Sequence, residues 1–244
     1  MTHVFYTDLA KYYDVVYLYV DYHRHADAIF SLIRKYKQND NPNLLDMACG
    51  TGSHAKLLSP KGFAVTGVDV SEKMLAVARK KNPGIFFVSG DMRTFIPTEK
   101  FGVVLCFHNA ILYNQDQSQM RATLSNFFSA LEPGGVVVFD AVDKRIGATL
   151  KRGEYRYEGQ GLNLSFKPQW AYNEKTNRLD LSIDFDVNGK TFHDHHEMGA
   201  FTFDELKKLL EQTGFEAYSF KRNLEQPREL EAIFVGRKPF QTNR

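Results

Sequence analysis

The sequence is short of several features that mark common protein classes. It has two cysteines in 244 residues, Cys49 and Cys106, without the spacing of a metal site. That scarcity argues against a disulfide framework and for a reducing compartment. It has almost no excess charge, with 31 Lys and Arg against 29 Asp and Glu. So even a balance leaves no electrostatic footprint for a nucleic-acid backbone, and no nucleic-acid partner is expected. The short run Arg79-Lys80-Lys81 follows an amphipathic stretch and reads as a helix C-terminus complementing the dipole. No run approaches the ~18 uninterrupted apolar residues that span a bilayer. Met1 to Ala10 carries polar and acidic residues and no apolar core, so no signal peptide is read. The chain reads as soluble and cytoplasmic, without internal repeats or low-complexity linkers.

What is present is enough apolar residue, 43% of the chain, for one α/β domain with a small insert. Asp21 to Lys37 has a helical face of Ala26, Ile29, Ile33 and Tyr36, ended by Asn39-Asp40-Asn41-Pro42. His23 and His25 are expected on its surface. Short apolar strands are read at Asn43 to Met47, Phe63 to Val68, Ile85 to Val88, Phe101 to Phe107 and Val136 to Asp140. Helices are read between them: Ser53, as cap, to Ser59; Glu72 to Lys81, capped by Ser71; and Ser118 to Leu131. Glu132-Pro133-Gly134-Gly135 is a turn. Short continuous apolar strands alternating with helices predict a parallel sheet covered on both faces. After Asp143 the rhythm changes to strands separated by turns at Gly159 to Gly161, Asn173 to Asn177 and Asn188-Gly189. Asn-Gly between two alternating runs is the strongest hairpin signal in the chain. Residues 154–198 are therefore read as an antiparallel insert, flanked by a main domain of 1–153 and 199–244. A helix at Thr202 to Gln212 and strands at Phe215 to Phe220 and Ala232 to Val235 complete the main sheet.

The chemistry is concentrated at the ends of the first strands. Gly50 and Gly52 stand where a strand turns into a helix, a turn that brings main chain close to a ligand. The third glycine of a dinucleotide fingerprint is replaced by Ala55, so a nicotinamide or flavin enzyme stays open on the loop alone. Asp46 ends the first strand and can meet a cationic amine. Asp69 ends the second, where an acid can bind both ribose hydroxyls. Asp91, in Gly90-Asp91-Met92, ends the third and can accept from an adenine amine while Met92 packs on the ring. Any one of these acids is explained equally well as a turn former or helix cap. All three beside the glycine loop favour a nucleotide-like cofactor.

Leu44 to Gly52, Gly67-Val68-Asp69-Val70-Ser71, Gly90-Asp91-Met92-Arg93 and Leu131-Glu132-Pro133-Gly134-Gly135 resemble successive motifs of the class I S-adenosylmethionine-dependent methyltransferases. The resemblance implies a Rossmann-like, seven-stranded, mostly parallel sheet with one antiparallel strand near the C-terminus. It implies S-adenosyl-L-methionine as cofactor, with Asp69 on the ribose, Asp91 and Met92 on the adenine, and the Asp46 to Gly52 loop around the methionine part. Tyr13, Tyr22, Ala48, Val70, Met74 and Phe107 join the expected cofactor contacts. Tyr13-Asp14-Val15-Val16-Tyr17 followed by Tyr22, with the insert before the last helix, is similar to small-molecule N-methyltransferases, the nucleotide-aminosugar N,N-dimethyltransferases above all. In those enzymes N-terminal tyrosines fold over cofactor and substrate. The sequence departs from them at Phe107 to Tyr113 and through most of the insert.

Methyl transfer from a sulfonium is an in-line displacement, so the protein chiefly positions a nucleophile; orientation alone is worth ~7–11 kcal/mol in favourable cases. His108 and Asn109 follow the fourth strand and are, with Tyr17, the candidates for contact with the acceptor. A His that merely caps the next segment is the plainer alternative. The tyrosine cluster reads either as a lid or as an aromatic stripe packed on the sheet. The Asn/Asp-Pro-Pro-Tyr motif of exocyclic-amine DNA methyltransferases is missing. In His193-Asp194-His195-His196-Glu197, a strand would place His193, His195 and Glu197 on one face. Those types suit zinc, but substrate-facing or solvated residues are the preferred reading and no metal is expected. Trp170 is expected to be packed. The leading reading is a small-molecule methyltransferase, N- rather than O-, with a small-molecule acceptor as partner, no nucleic-acid or membrane partner, and a homodimer compatible with the sequence. A nicotinamide-dependent oxidoreductase and a non-catalytic cofactor sensor are the competing classes.

Overall fold

The structure, a computed structural model, describes residues 3–145, 153–221 and 231–240. Five strands, β1 (Asn43–Met47), β2 (Ala64–Asp69), β3 (Phe86–Ser89), β4 (Phe101–Cys106) and β5 (Leu131–Val142), run parallel, with helices joining each consecutive pair except β3 and β4. α1 (Tyr13–Val16) and α2 (Tyr22–Tyr36) precede them; α3 (Ser53–Leu58), α4 (Glu72–Lys81) and α5 (Gln117–Ala130) lie between them. Then come four strands, β6 (Tyr155–Gly159), β7 (Leu162–Asn173), β8 (Arg178–Val187) and β9 (Lys190–Gly199), which form a separate antiparallel sheet. α6 (Phe203–Thr213), β10 (Glu216–Lys221) and β11 (Glu231–Arg237) return to the main sheet. Its order is β10-β11-β5-β4-β1-β2-β3, with β11 antiparallel to both neighbours. The expected seven-stranded α/β sheet and the antiparallel segment before the last helix are both present.

The side-chain alternation of β5 shows how the layers form. Val137, Phe139 and Ala141 pack toward α5 and α6, whereas Val136 and Val138 pack toward α2, α3 and α4. A strand apolar on both faces requires helices on both sides. Side chains set the helix starts: Asp21, Ser71 and Asp116 each accept a backbone N–H three residues on, and Thr202 with Glu205 closes a capping box ahead of α6. Two local expectations need correction. Gly52, left-handed, caps α3 in place of Ser53. The Glu132 to Gly135 turn lies inside β5, where pairing jumps from Phe101↔Leu131 to Val103↔Val136. At the predicted hairpin, Asn188 and Gly189 both take positive φ, 53° and 82°, as a two-residue turn with the strand twist requires.

The chain reverses direction between β1 and β4, since β1 leads to β2 on one side while β4 leads to β5 on the other. The crevice above such a switch point is where open α/β sheets bind ligands. The N-terminal segment and the second sheet cover it, sharing a third apolar cluster that includes Phe5, Leu9, Tyr13, Leu164, Phe166 and Phe185. Among the described residues no helix is long and apolar enough to cross a membrane.

Candidate active site

After β1 the backbone alternates into the left-handed region at Ala48 (φ 58°), Gly50 (φ 56°) and Gly52 (φ 74°). Gly52 has two reasons to be glycine: its φ, and a Cβ that would stand 2.8 Å from the Phe87 ring. Ala48 tolerates the same region only at a cost, of order 1–3 kcal/mol. The Cys49 N–H donates to Val68 O and the Gly52 N–H to Cys49 O, which ties the loop to β2. The end of β4 repeats the pattern, with His108 and Asn109 both left-handed at φ 62° and 59°. The Asn109 N–H donates to Asp140 Oδ1 at 2.8 Å, anchoring that turn on β5.

Three acids border the crevice in three electrostatic states. Asp46 is buried, and its Oδ2 has no hydrogen-bond partner. Burial, reinforced by the charge of Asp69, pushes its carboxyl up to about 7. Asp69 accepts the Gly50 N–H at 2.9 Å on Oδ2 and the Ser71 N–H at 2.8 Å on Oδ1. Burial still outweighs those bonds and raises its pKa. Asp91 faces solvent more and is gripped by Arg93 at 2.9 and 2.6 Å, which holds its carboxyl below the usual range. Each carboxylate keeps lone pairs to spare after these bonds.

The acids open into one cavity of about 390 Å³, the size of a small-molecule site. Of the residues singled out in the sequence, Tyr13, Tyr22, Asp46, Ala48, Gly50, Asp69, Val70, Met74, Asp91, Met92, Phe107 and His108 line it. Gly52, Asn109 and Tyr17 lie outside that lining. Gly52 faces Phe87 and Asn82. The Tyr17 ring stands behind, 4.7 Å from the Tyr13 ring and 5.0 Å from the His108 ring, centre to centre.

The roof contains residues that sequence reasoning did not select. His3, Tyr6, His54 and Tyr113 also line the cavity. Tyr6 Oη lies 2.8 Å from Tyr113 Oη, which lies 2.6 Å from His196 Nδ1. His25, expected on the surface, is buried: its ring stacks parallel to that of His54 at 6.1 Å. The helical period placed it one position from Ala26, on the edge of the buried face. Lys81 does more than complement a dipole. Its Nζ donates to Asp14 Oδ2 at 2.7 Å, Ser53 Oγ at 3.0 Å and Thr51 Oγ1 at 3.1 Å, while the Thr51 hydroxyl donates to Asp14 Oδ1 at 2.5 Å. This network fastens α1 to the glycine loop.

In β9, His193, His195 and Glu197 do share the exposed face; Asp194 and His196 point inward and are buried. His193 pairs with Asp184 and His195 contacts Ser182. Two trios, His3-Asp194-His196 and Asp180-His195-Glu197, bring potential metal-ligand atoms within 4.8 Å of one another.

A buried carboxylate with an unpartnered oxygen in the wall of a cavity is suited to receive a cation. Left-handed loop residues beside it let a ligand reach main chain, and Asp69 is fixed at the end of the neighbouring strand. S-adenosylmethionine, with an ammonium, a sulfonium and a ribose diol, fits this donor and acceptor set. Comparisons with known proteins agree. Residues 44–135 match a methyltransferase-domain family model. The dTDP-3-amino-3,6-dideoxy-alpha-D-glucopyranose N,N-dimethyltransferase of Streptomyces fradiae is 36% identical over 135 residues, covering 54% of this chain and 52% of that protein. The chain thus spans about half the length of the curated relatives it matches first. The glycine/sarcosine N-methyltransferase of Halorhodospira halochloris is 30% identical over 196 residues, 75% of this chain and 69% of that protein. The crystal structure of Streptomyces venezuelae DesVI superposes with a TM-score of 0.83 at 27% identity, over 96% of this chain and 99% of that one. Fold, strand-end acids and these similarities converge: the chain belongs to the class I S-adenosylmethionine-dependent methyltransferases.

Proposed function

We propose that this protein methylates an amine nitrogen on a small molecule, of the nucleotide-linked aminosugar class. The observation that carries the reading is Asp46, a cavity-lining carboxylate with a buried oxygen that has no hydrogen-bond partner and, among the described residues, no ion-pair partner. That group favours a positively charged cofactor over a nicotinamide dinucleotide, whose pyrophosphate an unpaired acid would repel. S-adenosylmethionine, when bound, supplies a methyl group already activated on a sulfonium. The chain's own work is then binding, orientation and water exclusion. Asp46 holds the ammonium of the methionine part. Asp69, pinned by two backbone N–H groups, presents its remaining lone pairs to the ribose. Val70 and Met92 flank the adenine, with Asp91 steadied by Arg93 beside its amine. Tyr6, Tyr13, Tyr22, Phe107, His108 and Tyr113 surround the remaining space, where the acceptor enters; Tyr17 and Asn109 support that wall from behind.

The amine preference rests on the kinds of relative: the Streptomyces fradiae and Halorhodospira halochloris proteins carry N-methyltransferase names. An amine needs no strong base, only loss of its extra proton before attack. The same reading places the protein in the cytoplasm, consistent with free Cys49 and Cys106, as an enzyme with a small-molecule acceptor, with 154–198 serving as an acceptor-side or dimer subdomain.

Thermal unfolding with S-adenosylhomocysteine or NAD separates cofactor classes; protection by the first and not the second is expected. Mass spectrometry of dTDP-3-amino-3,6-dideoxyglucose and glycine incubated with S-adenosylmethionine then reads methyl transfer. A gain of one or two methyls on the amino sugar is expected. Cofactor binding with no methyl gain on either amine would contradict the proposed acceptor class.

A further inference from the structure

Opposite the strand-end acids, five polar side chains from three distant segments form one connected chain, fully buried at Asp194 and His196 and half-buried at His3, Tyr6 and Tyr113. Tyr6 and Tyr113 present their hydroxyls to each other at 2.8 Å, and both residues line the cavity. Tyr113 Oη continues to His196 Nδ1 at 2.6 Å. His196 Nε2 faces Asp194 Oδ2 at 3.3 Å, and the same oxygen accepts the Phe5 N–H at 2.7 Å. Asp194 Oδ1 lies 3.5 Å from Nδ1 of His3, whose ring stacks on His196 at 4.1 Å. Tyr6 is anchored from its other end, where its carbonyl accepts the Ser71 hydroxyl at 2.5 Å. None of the cofactor contacts proposed above uses this chain.

We propose that Tyr113, backed by His196 and Asp194, is a proton relay that strips the acceptor ammonium before methylation. This rests on the amine reading above. In the step, an N–H bond of the ammonium breaks and its proton passes to Tyr113 Oη. The Tyr113 O–H bond breaks in concert and its proton forms a bond to His196 Nδ1. A neutral amine and an imidazolium result, the latter with the Asp194 carboxylate 3.3 Å from its Nε2. Once the product has left, His196 Nδ1 returns the proton through Tyr113 Oη to water in the cavity, which restores the starting tautomer. Tyr113 is the catalytic residue; His196 and Asp194 act through it as positioning residues.

The electrostatics suit these roles. Burial holds protons on both phenols, pushing Tyr6 up to about 12 and Tyr113 well above its usual value, so they conduct protons without ionising. Burial also lowers the His196 pKa, outweighing the opposite pull of Asp194, so its ring is neutral and ready to accept. Burial opposes charge on Asp194 too, but its contacts with His196, His3 and the Phe5 N–H win and keep it ionised. That acid lies 3.3 Å from Nε2 without closing a hydrogen bond, and its charge favours the tautomer with the proton on Nε2 and the lone pair on Nδ1 facing Tyr113. The groups facing His196 are His3 and Tyr6 of the N-terminal segment, Tyr113 after β4, and Asp194 and His195 of β9.

The test uses the full chain with dTDP-3-amino-3,6-dideoxyglucose as acceptor and Tyr113→Phe, His196→Gln and Asp194→Asn variants, with His195→Gln as control. Near pH 7 the Tyr113 and His196 variants are expected to lose about 100-fold in kcat with S-adenosylhomocysteine affinity unchanged. At pH 9.5, where the free amine is largely deprotonated without help, the deficit is expected to shrink below about tenfold. A deficit that does not change with pH, or none at all, would overturn the relay. Nitrogen NMR of the His196 ring needs no acceptor: the Nε2–H tautomer is expected, and Nδ1–H overturns the proposal. One tightly bound zinc per chain, lost in His196→Gln, overturns it also. If wild-type protein fails to methylate the amino sugar, the acceptor reading fails, and the His196 tautomer alone decides the relay.

Discussion

The floor and the roof of the cavity are built by different rules. The floor is the row of strand ends from β1 to β4, where Asp46, Asp69 and Asp91 each follow a short apolar strand. Its geometry comes from backbone: left-handed loop residues, amides bonded to Asp69, and parallel register. The roof joins residues far apart in sequence, such as Tyr6, Tyr113 and His196, through contacts between side chains. A floor of this kind recognises one fixed cofactor, whereas a roof of this kind can change its acceptor without changing the fold.

Removing a floor acid should therefore hurt cofactor binding most. Asp69→Ala deletes the ribose acceptor and frees the Gly50 and Ser71 N–H groups; at ~1.5–3 kcal/mol per charged bond, calorimetry should show S-adenosylhomocysteine binding weakened about 100-fold or more. Next is the joint between the two regions. Lys81→Ala cuts the tie between α1 and the glycine loop, half-exposed and so worth less than a buried pair. About a tenfold loss of cofactor affinity is expected, with faster proteolysis at the N-terminal segment; unchanged proteolysis would show that the apolar cluster holds the roof unaided.

Asp46 gives the floor a pH dependence. Its pKa of about 7 belongs to the protein without ligand, and a bound cation favours the ionised form. Cofactor affinity should rise as pH goes from 6 to 8 with release of a proton, and Asp46→Asn should flatten that slope. The stability sign is opposite. Between the ordinary carboxylate value near ~3.9 and about 7 the folded state keeps a proton that the unfolded chain loses. Ligand-free stability should thus fall with rising pH across that window. The smallest effect is at Ala48, whose φ of 58° suits glycine better. Ala48→Gly should change stability by under about 1 kcal/mol, in the stabilising direction, since relief of strain exceeds the added unfolded-state entropy.

The same contrast explains what could be read from the sequence. Floor residues sit in contiguous motifs: an apolar run, then an acid or glycine, repeated at each strand. Twelve of the fifteen singled-out residues line the cavity, and all of those but Tyr13 and Tyr22 lie at or just after these strand ends. Strand alternation even separated the two faces of β9, but chemistry drew attention to His193, His195 and Glu197, while the buried Asp194 and His196 lie on the other face. Nothing local to Tyr113 or His3 announces that they meet His196; that contact depends on how the second sheet lies over the crevice. Likewise His25 is buried because His54 is there to stack on it, a fact of packing and not of helical period.

The most direct measurement is a crystal structure with S-adenosylhomocysteine. The floor predicts its ammonium within hydrogen-bond reach of Asp46 Oδ2, its ribose on Asp69, and its sulfur facing the space below Tyr6 and Tyr113. A ligand bound elsewhere, or one leaving Asp46 Oδ2 still unpartnered, would contradict the account.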